Sequence, residues 1–308
     1  MIGNDQDALM RMAAFEHVQR LREIHNPLTA ADLKPGFVFG GERIPLINPQ
    51  RGIFRPRQMR FLLSIKTVFP RPGGRVWYDD QRDVHRQIFE GEETIDYAFM
   101  GKNPDAADNQ RLREACENRI PVIYFIGIAP GRYHAELPVY ITGWDPRTLK
   151  ARVAFSMSDH EYAMPPENAI ERRYALREVQ QRLHQDSFRE AVLAAYGSRC
   201  VVTRLPEPKL LDAAHIIDDG DEEFGQPIVP NGIPLSKLHH AAFDAHFIGI
   251  DPFYRLHVSK RLLAINDGPM LEALKGLEGQ SIRMPNRRQD YPDRDRLAQR
   301  FERFKAVA

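Results

Sequence analysis

The chain has only two cysteines in 308 residues, Cys116 and Cys200. That argues against a disulfide framework and leaves too few thiolates for a four-cysteine zinc site. Long apolar runs are missing as well. No stretch approaches the roughly 18 consecutive apolar residues of a membrane span, so no membrane partner is expected. Charge of one sign is also missing: 43 Lys and Arg against 42 Asp and Glu leave a net charge of +1. Contact with a polyanion must then come from a local patch rather than from the field of the whole molecule. The N-terminal stretch MIGNDQDALMRMAAF has no basic segment followed by an apolar core. No secretory signal is visible, and a cytoplasmic location is expected. Internal repeats and long low-complexity tracts are absent too.

What is present is enough chain for about two domains. Leu9, Met12, Phe15, Val18, Leu21 and Ile24 recur at helical spacing and predict a helix over 7–24. Between residues 37 and 155 the texture becomes β-rich. Short runs at 60–68, 75–78, 121–128, 138–142 and 151–155 alternate with Gly and Pro punctuation, and one helix is expected near 107–118. This predicts a mixed, mostly antiparallel β domain with barrel character. Pro165-Pro166 sits in a stretch, 158–168, that reads as a linker. The expected domains are therefore 1–160 and 161–308, and the expected fold class is α+β. Beyond the linker one helix is predicted over 169–183. A second should open at the S-x-x-E capping box of Ser187 and Glu190, with Phe188, Val192 and Tyr196 as its core stripe. A strand over 254–258 and helices over 269–277 and 293–304 follow.

The densest chemistry lies between residues 210 and 251. LLDAAHII, 210–217, is a short apolar run suited to a buried strand, and it carries His215. The stretch 218–230 is acidic and rich in Gly and Pro, so it reads as a loop. Asn231-Gly232 is a turn signal. From Leu235 the spacing of Leu235, Leu238, Ala242 and Phe243 becomes helical. His240 and Asp244, four apart, then project from one side of that helix, where an imidazole and a carboxylate can share a divalent cation. A histidine beside an apolar strand is ordinarily a core residue. The conjunction of His215, Asn231, His240 and Asp244 is what points to a site.

That order and spacing resemble the HNH motif of the ββα-metal nucleases, and the flanks YGSRCVVT, 196–203, and FIGID, 247–251, extend the resemblance. It implies a helical ββα-metal nuclease domain that hydrolyses phosphodiester bonds of double-stranded DNA. His215 would be the general base and Asn231 the residue that orients it by a hydrogen bond. His240 would be a metal ligand and Asp244 a second one, for Mg²⁺ or Mn²⁺. The chain departs from the pattern at Ala214, where many members carry a further ligand. Thr203 and His239 stand where some members have zinc cysteines, so no structural zinc is expected. Asp212, three residues before the base, either supports the site or fixes the strand.

In the N-terminal half, DYAFMG at 96–101, a helix opening DNQRLREA at 108–115 and the strand PVIYFIG at 121–127 resemble the SET- and RING-associated (SRA) domain of the PUA-like group. Such domains read modified bases, modified cytosine among them, often by extruding the base. Tyr78 and Asp79 pair an aromatic ring with a polar edge. Arg51, Arg55, Arg57 and Arg60, interleaved with Phe54 and Phe61, form a basic loop, and Trp144 is a further aromatic candidate. The combined expectation is a modification-dependent, type IV-like restriction endonuclease. One HNH site cuts one strand, so a homodimer is a natural arrangement for a double-strand break. Two alternatives stand beside it. The N-domain could sense another modification, such as phosphorothioate, or a small signalling ligand; or the chain could be a non-catalytic DNA-binding module.

Overall fold

The computed structural model describes residues 2–68, 94–156, 169–221 and 223–307, with side chains from Gln6 onward. The chain forms two compact units, Met1–Asp186 and Ser187–Ala308.

The first unit is built on a seven-stranded mixed sheet. Its strands run in the order β4 (Ile53–Phe54), β5 (Ser64–Lys66), β7 (Pro121–Ala129), β8 (Arg132–Asp145), β9 (Lys150–Phe155) and β6 (Ile95–Ala98), with β1 (Leu28–Thr29) also pairing to β8, while β2 (Phe37–Phe39) and β3 (Glu42–Ile44) form a separate hairpin. The β5–β7 pair is parallel and the other pairs are antiparallel. The apolar run of β7 follows from its place at the centre. Val122, Tyr124 and Ile126 face one core, while Ile123 and Phe125 face the other. A strand covered on both faces needs apolar residues at every position rather than at alternate ones. The helix Ile2–Ile24 supplies Met10, Ala14, Phe15 and Val18 to one side. The helix Ala107–Glu117 supplies Leu112 and Ala115 to the other. Among the described residues β4 and β6 do not pair with each other, so the described strands form a half-barrel.

A helix that sequence splits in two is continuous. Ala169–Ala195 is one 27-residue element. The segment QQRLHQDSFRE contains no Gly or Pro to interrupt it. The Ser187 hydroxyl is buried without a partner among the described residues instead of capping a new helix. Ala175, Leu176, Val179 and Leu183 belong to the core of the first unit. The two compact units meet in sequence at 186/187, and the expected linker, 158–168, lies outside the described residues. A buried ionic cluster ties this helix to the sheet. His134 on β8 lies 2.5 Å from Asp186 and 2.6 Å from Glu136, and Arg182 holds Glu136 through two bonds of 3.1 Å. The two carboxylates outweigh the burial that opposes charge and push the His134 pKa up to about 9.

The second unit has two short hairpins. β10 (Leu211–His215) pairs with β11 (Gly232–Ser236), and β12 (Ile248–Ile250) pairs with β13 (Leu256–Val258). Leu211, Ala214, Ile233, Leu235, Phe243, Ile248, Ile250 and Leu297 meet in its core. Leu235 is a strand residue, not the start of a helical face. The helix runs Lys237–Asp244 behind the Ser236 cap, and Leu238 is 43% exposed. The helix Gly268–Lys275 and the C-terminal helix Arg294–Val307 complete the unit. Among the described residues no helix is long and apolar enough to cross a membrane.

Candidate active site

The β10–β11 register sets His215 opposite Gly232 and Asp212 opposite Leu235. Ser236 ends the second strand, and its hydroxyl accepts from the His239 amide. That cap uses up His239, whose Nδ1 lies 2.5 Å from the same hydroxyl, and turns His240 to the other side. His240 stands between two carboxylates. Its Nδ1 is 3.3 Å from Asp212 Oδ2, and its Nε2 is 3.2 Å from Asp244 Oδ2. The two acids lie at opposite edges of one ring, so they do not converge with it on a single point. Among the described residues no group of three or more His, Cys, Asp or Glu side chains forms a metal cluster.

His215 is half-buried under the ring of Phe188, which stacks on it at 4.0 Å between centroids and 14° between planes. Its Nε2 is buried and has no hydrogen-bond partner among the described residues. Burial pushes its pKa below the usual imidazole range, and His240 adds to that effect. Asp219, Asp218 and Asp244 oppose it.

Asn231 does something other than the resemblance implies. It is fully buried; its Oδ1 accepts from the Ile217 amide at 2.9 Å, and its Nδ2 donates to the carbonyls of Ile217 at 2.9 Å and Gln226 at 3.1 Å. It holds the backbone that leaves His215 rather than the imidazole itself. Two groups that sequence reading did not place at the site also reach it. Phe188 reads as core from its spacing, and it is core, but one face of it covers the histidine. Arg300, from the C-terminal helix, donates to the Phe243 carbonyl at 3.2 Å and to Asp244 Oδ1 at 3.3 Å, and lies 3.6 Å from Asp218. No local motif marks Arg300, because its partners are more than fifty residues away in sequence. Cys200 is buried, and its sulfur accepts from the amides of Thr203 and Ser236.

Three candidates of the first unit, Arg51, Arg55 and Trp144, make contacts within the protein. Arg51 pairs with Asp108 at 3.1 Å. Arg55 donates to the Met59 and Arg60 carbonyls of its own turn, at 3.1 and 3.3 Å. Trp144 donates to the Asn109 carbonyl at 3.0 Å and packs on Phe99 at 5.2 Å. Phe54 lines a cavity of about 580 Å³ together with Tyr133, Leu33, Ile47 and Lys66. Lys66 is buried there, its ammonium donating to the carbonyls of Asn48 and Pro49, and burial lowers its pKa. Tyr78 and Asp79 lie outside the described residues.

Residues 200–251 match the HNH endonuclease family model, so the chain carries an HNH nuclease domain. Among solved structures the chain is similar to the modification-dependent TagI restriction endonuclease, with 12% identity, a TM-score of 0.33, and coverage of 92% of this chain and 89% of that one. It is also similar to the type IV phosphorothioation-dependent restriction endonuclease ScoMcrA, with 17% identity and a TM-score of 0.26. In that case the match covers 63% of this chain and 48% of the other. A search of curated proteins gives no match.

Proposed function

We propose that the second unit hydrolyses DNA phosphodiester bonds with His215 as general base, and that the first unit selects DNA carrying a modified base. The observation that carries the cutting mechanism is the match of residues 200–251, which hold His215, His240 and Asp244, to the HNH endonuclease family; Nε2 of His215 is buried and has no partner among the described residues. Leaving such an atom unsatisfied costs about 1–3 kcal/mol, and its lone pair is not spent on a described residue. Burial favours the neutral imidazole, the form that can take a proton from an attacking water.

His240 Nε2 and Asp244 offer one nitrogen and one oxygen, a donor set suited to Mg²⁺ or Mn²⁺ with water and phosphate as the remaining ligands. Asp212 faces the other ring nitrogen. With the Nδ1 proton directed at Asp212, the Nε2 lone pair is left toward Asp244. A bound cation would stabilise charge on the scissile phosphate and the leaving oxygen. Asn231 keeps the 216–217 backbone from moving the base. The selection role rests on the SRA-like segments between 37 and 155, with Phe54 and its cavity as the described place where a planar group could lodge.

The test is digestion of matched plasmids carrying unmodified, 5-methylcytosine, hydroxymethylcytosine, N6-methyladenine or phosphorothioate DNA, each with Mg²⁺, Mn²⁺ or chelator. Cleavage of one modified plasmid, abolished by chelator, is expected. Equal cleavage of every plasmid would remove the reader. Full activity in chelator would remove the metal.

A further inference from the structure

We propose that Phe188 is a positioning residue for His215, and that Gly232 is glycine in order to admit it. The proposal rests on His215 acting as the base. Phe188 is 3% exposed and lies almost parallel to the imidazole. A hydrogen bond usually sets the plane of a catalytic histidine. Here the amide of Asn231, the expected partner, is engaged with the backbone of Ile217 and Gln226, and Nε2 is unbonded. The flat contact with Phe188 fixes the ring plane instead, and covers one face of it from water.

Gly232 is the cross-strand neighbour of His215. Its backbone, at φ −135° and ψ 144°, is extended, a conformation any residue adopts. The need for glycine is therefore spatial. A Cβ at 232 would lie 2.6 Å from Cζ of Phe188 and 2.5 Å from Cγ2 of Val192. The missing methyl is the slot through which the Phe188 ring reaches the histidine. The charged and titratable groups around His215 are Asp218, Asp219, Asp244 and His240. None of them is displaced by changing residue 188 or 232.

Four variants test this: Phe188→Ala, Phe188→Leu, Gly232→Ala and, as reference, His215→Ala. Each is measured for cleavage rate, KM for DNA, the pH profile of cleavage, and melting temperature. General-base catalysis is worth ~10²–10⁴-fold, and misaiming the base should forfeit ~10-fold or more of it in Phe188→Ala with KM little changed. Water then reaches the ring, the imidazole holds its proton to higher pH, and the acidic limb of the profile moves up. Phe188→Leu keeps the apolar cover but not the flat stack. It should lose rate while keeping the parent's acidic limb. Gly232→Ala should behave like Phe188→Ala. If Phe188→Ala does not fold, the leucine and glycine variants decide the matter. Folded variants that melt lower but keep the parent's rate and profile would make Phe188 plain core and overturn the proposal. Parental activity in His215→Ala would overturn it together with the base assignment. An inactive His215→Ala beside unaffected Phe188 and Gly232 variants would overturn it alone.

Discussion

In the first unit Arg51 sits 3.1 Å from the Asp108 carboxylate and Arg55 donates to two carbonyls of its own turn. In the second unit His215 keeps a buried nitrogen without a partner among the described residues, and His240 stands between two carboxylates. Both sets look like functional residues in sequence, yet the two arginines each donate to a group of their own unit, whereas the His215 nitrogen is an acceptor that no described residue engages. A guanidinium beside an aspartate has part of its charge already neutralised, so it attracts a polyanion less than an unpaired one does. A catalytic group needs the reverse: a lone pair that the protein itself does not use. For the reader proposed in the first unit, the cavity beside Phe54 is a place to test ahead of Arg51 and Arg55.

The largest effect that would sharpen this contrast is loss of the base. His215→Ala should lower cleavage ~10²–10⁴-fold while gel-shift affinity for DNA is retained; near-normal turnover would erase the distinction between the units. Next comes Asn231→Ala. Removing three buried hydrogen bonds should destabilise the second unit by about 2–4 kcal/mol in denaturant titration, with the first unit unaffected. A drop in activity without any drop in stability would mean that Asn231 does orient the imidazole. In the first unit, Phe54→Ala should weaken binding of modified duplex by ~1–3 kcal/mol, the value of one base–aromatic stack. Arg51→Ala should change stability by under about 1 kcal/mol, its side chain being 56% exposed, and leave DNA affinity as it was. The opposite ranking would restore the basic loop as the reader.

The His134 cluster gives a pH signature of the first unit alone. Its folded pKa, about 9, lies above the ordinary 6.5. The stabilisation from its protonated form is thus complete below about 6.5 and fades as pH rises through about 9. The melting temperature of the parent should fall across that window. His134→Gln should melt lower at neutral pH but show a flatter dependence. An unchanged slope in that variant would assign the pH dependence to other groups.

Sequence makes some of this visible and hides the rest for physical reasons. The strand with His215, the turn at Asn231 and the His240–Asp244 pair are local in sequence, and each is fixed by a spacing. The break expected at Ser187 fails because a capping box only starts a helix where the chain is free to start one; here the preceding helix has no reason to stop. Leu235 reads as helical because apolar strand and helix patterns coincide over four or five residues, and the Ser236 cap decides between them. The contacts of Arg51 with Asp108 and of Trp144 with the Asn109 carbonyl are not legible from spacing, since the partners are distant in sequence. For the same reason Arg300 went unseen.

The C-terminal helix has a further implication for how such a nuclease could be moved or exchanged. Arg300 clamps Asp244 and Asp218, and Arg296 of the same helix donates to the Phe224 carbonyl at 2.8 Å and to Gln226 at 2.7 Å. The loop between His215 and Asn231 is thus braced at Asp218, Phe224 and Gln226 from beyond residue 251, where the family match ends. The recognisable motif is shorter than the object that works. A graft cut to the motif's borders would carry every nominal ligand into its new host and leave behind the braces that aim them. The portable unit includes the 294–307 helix.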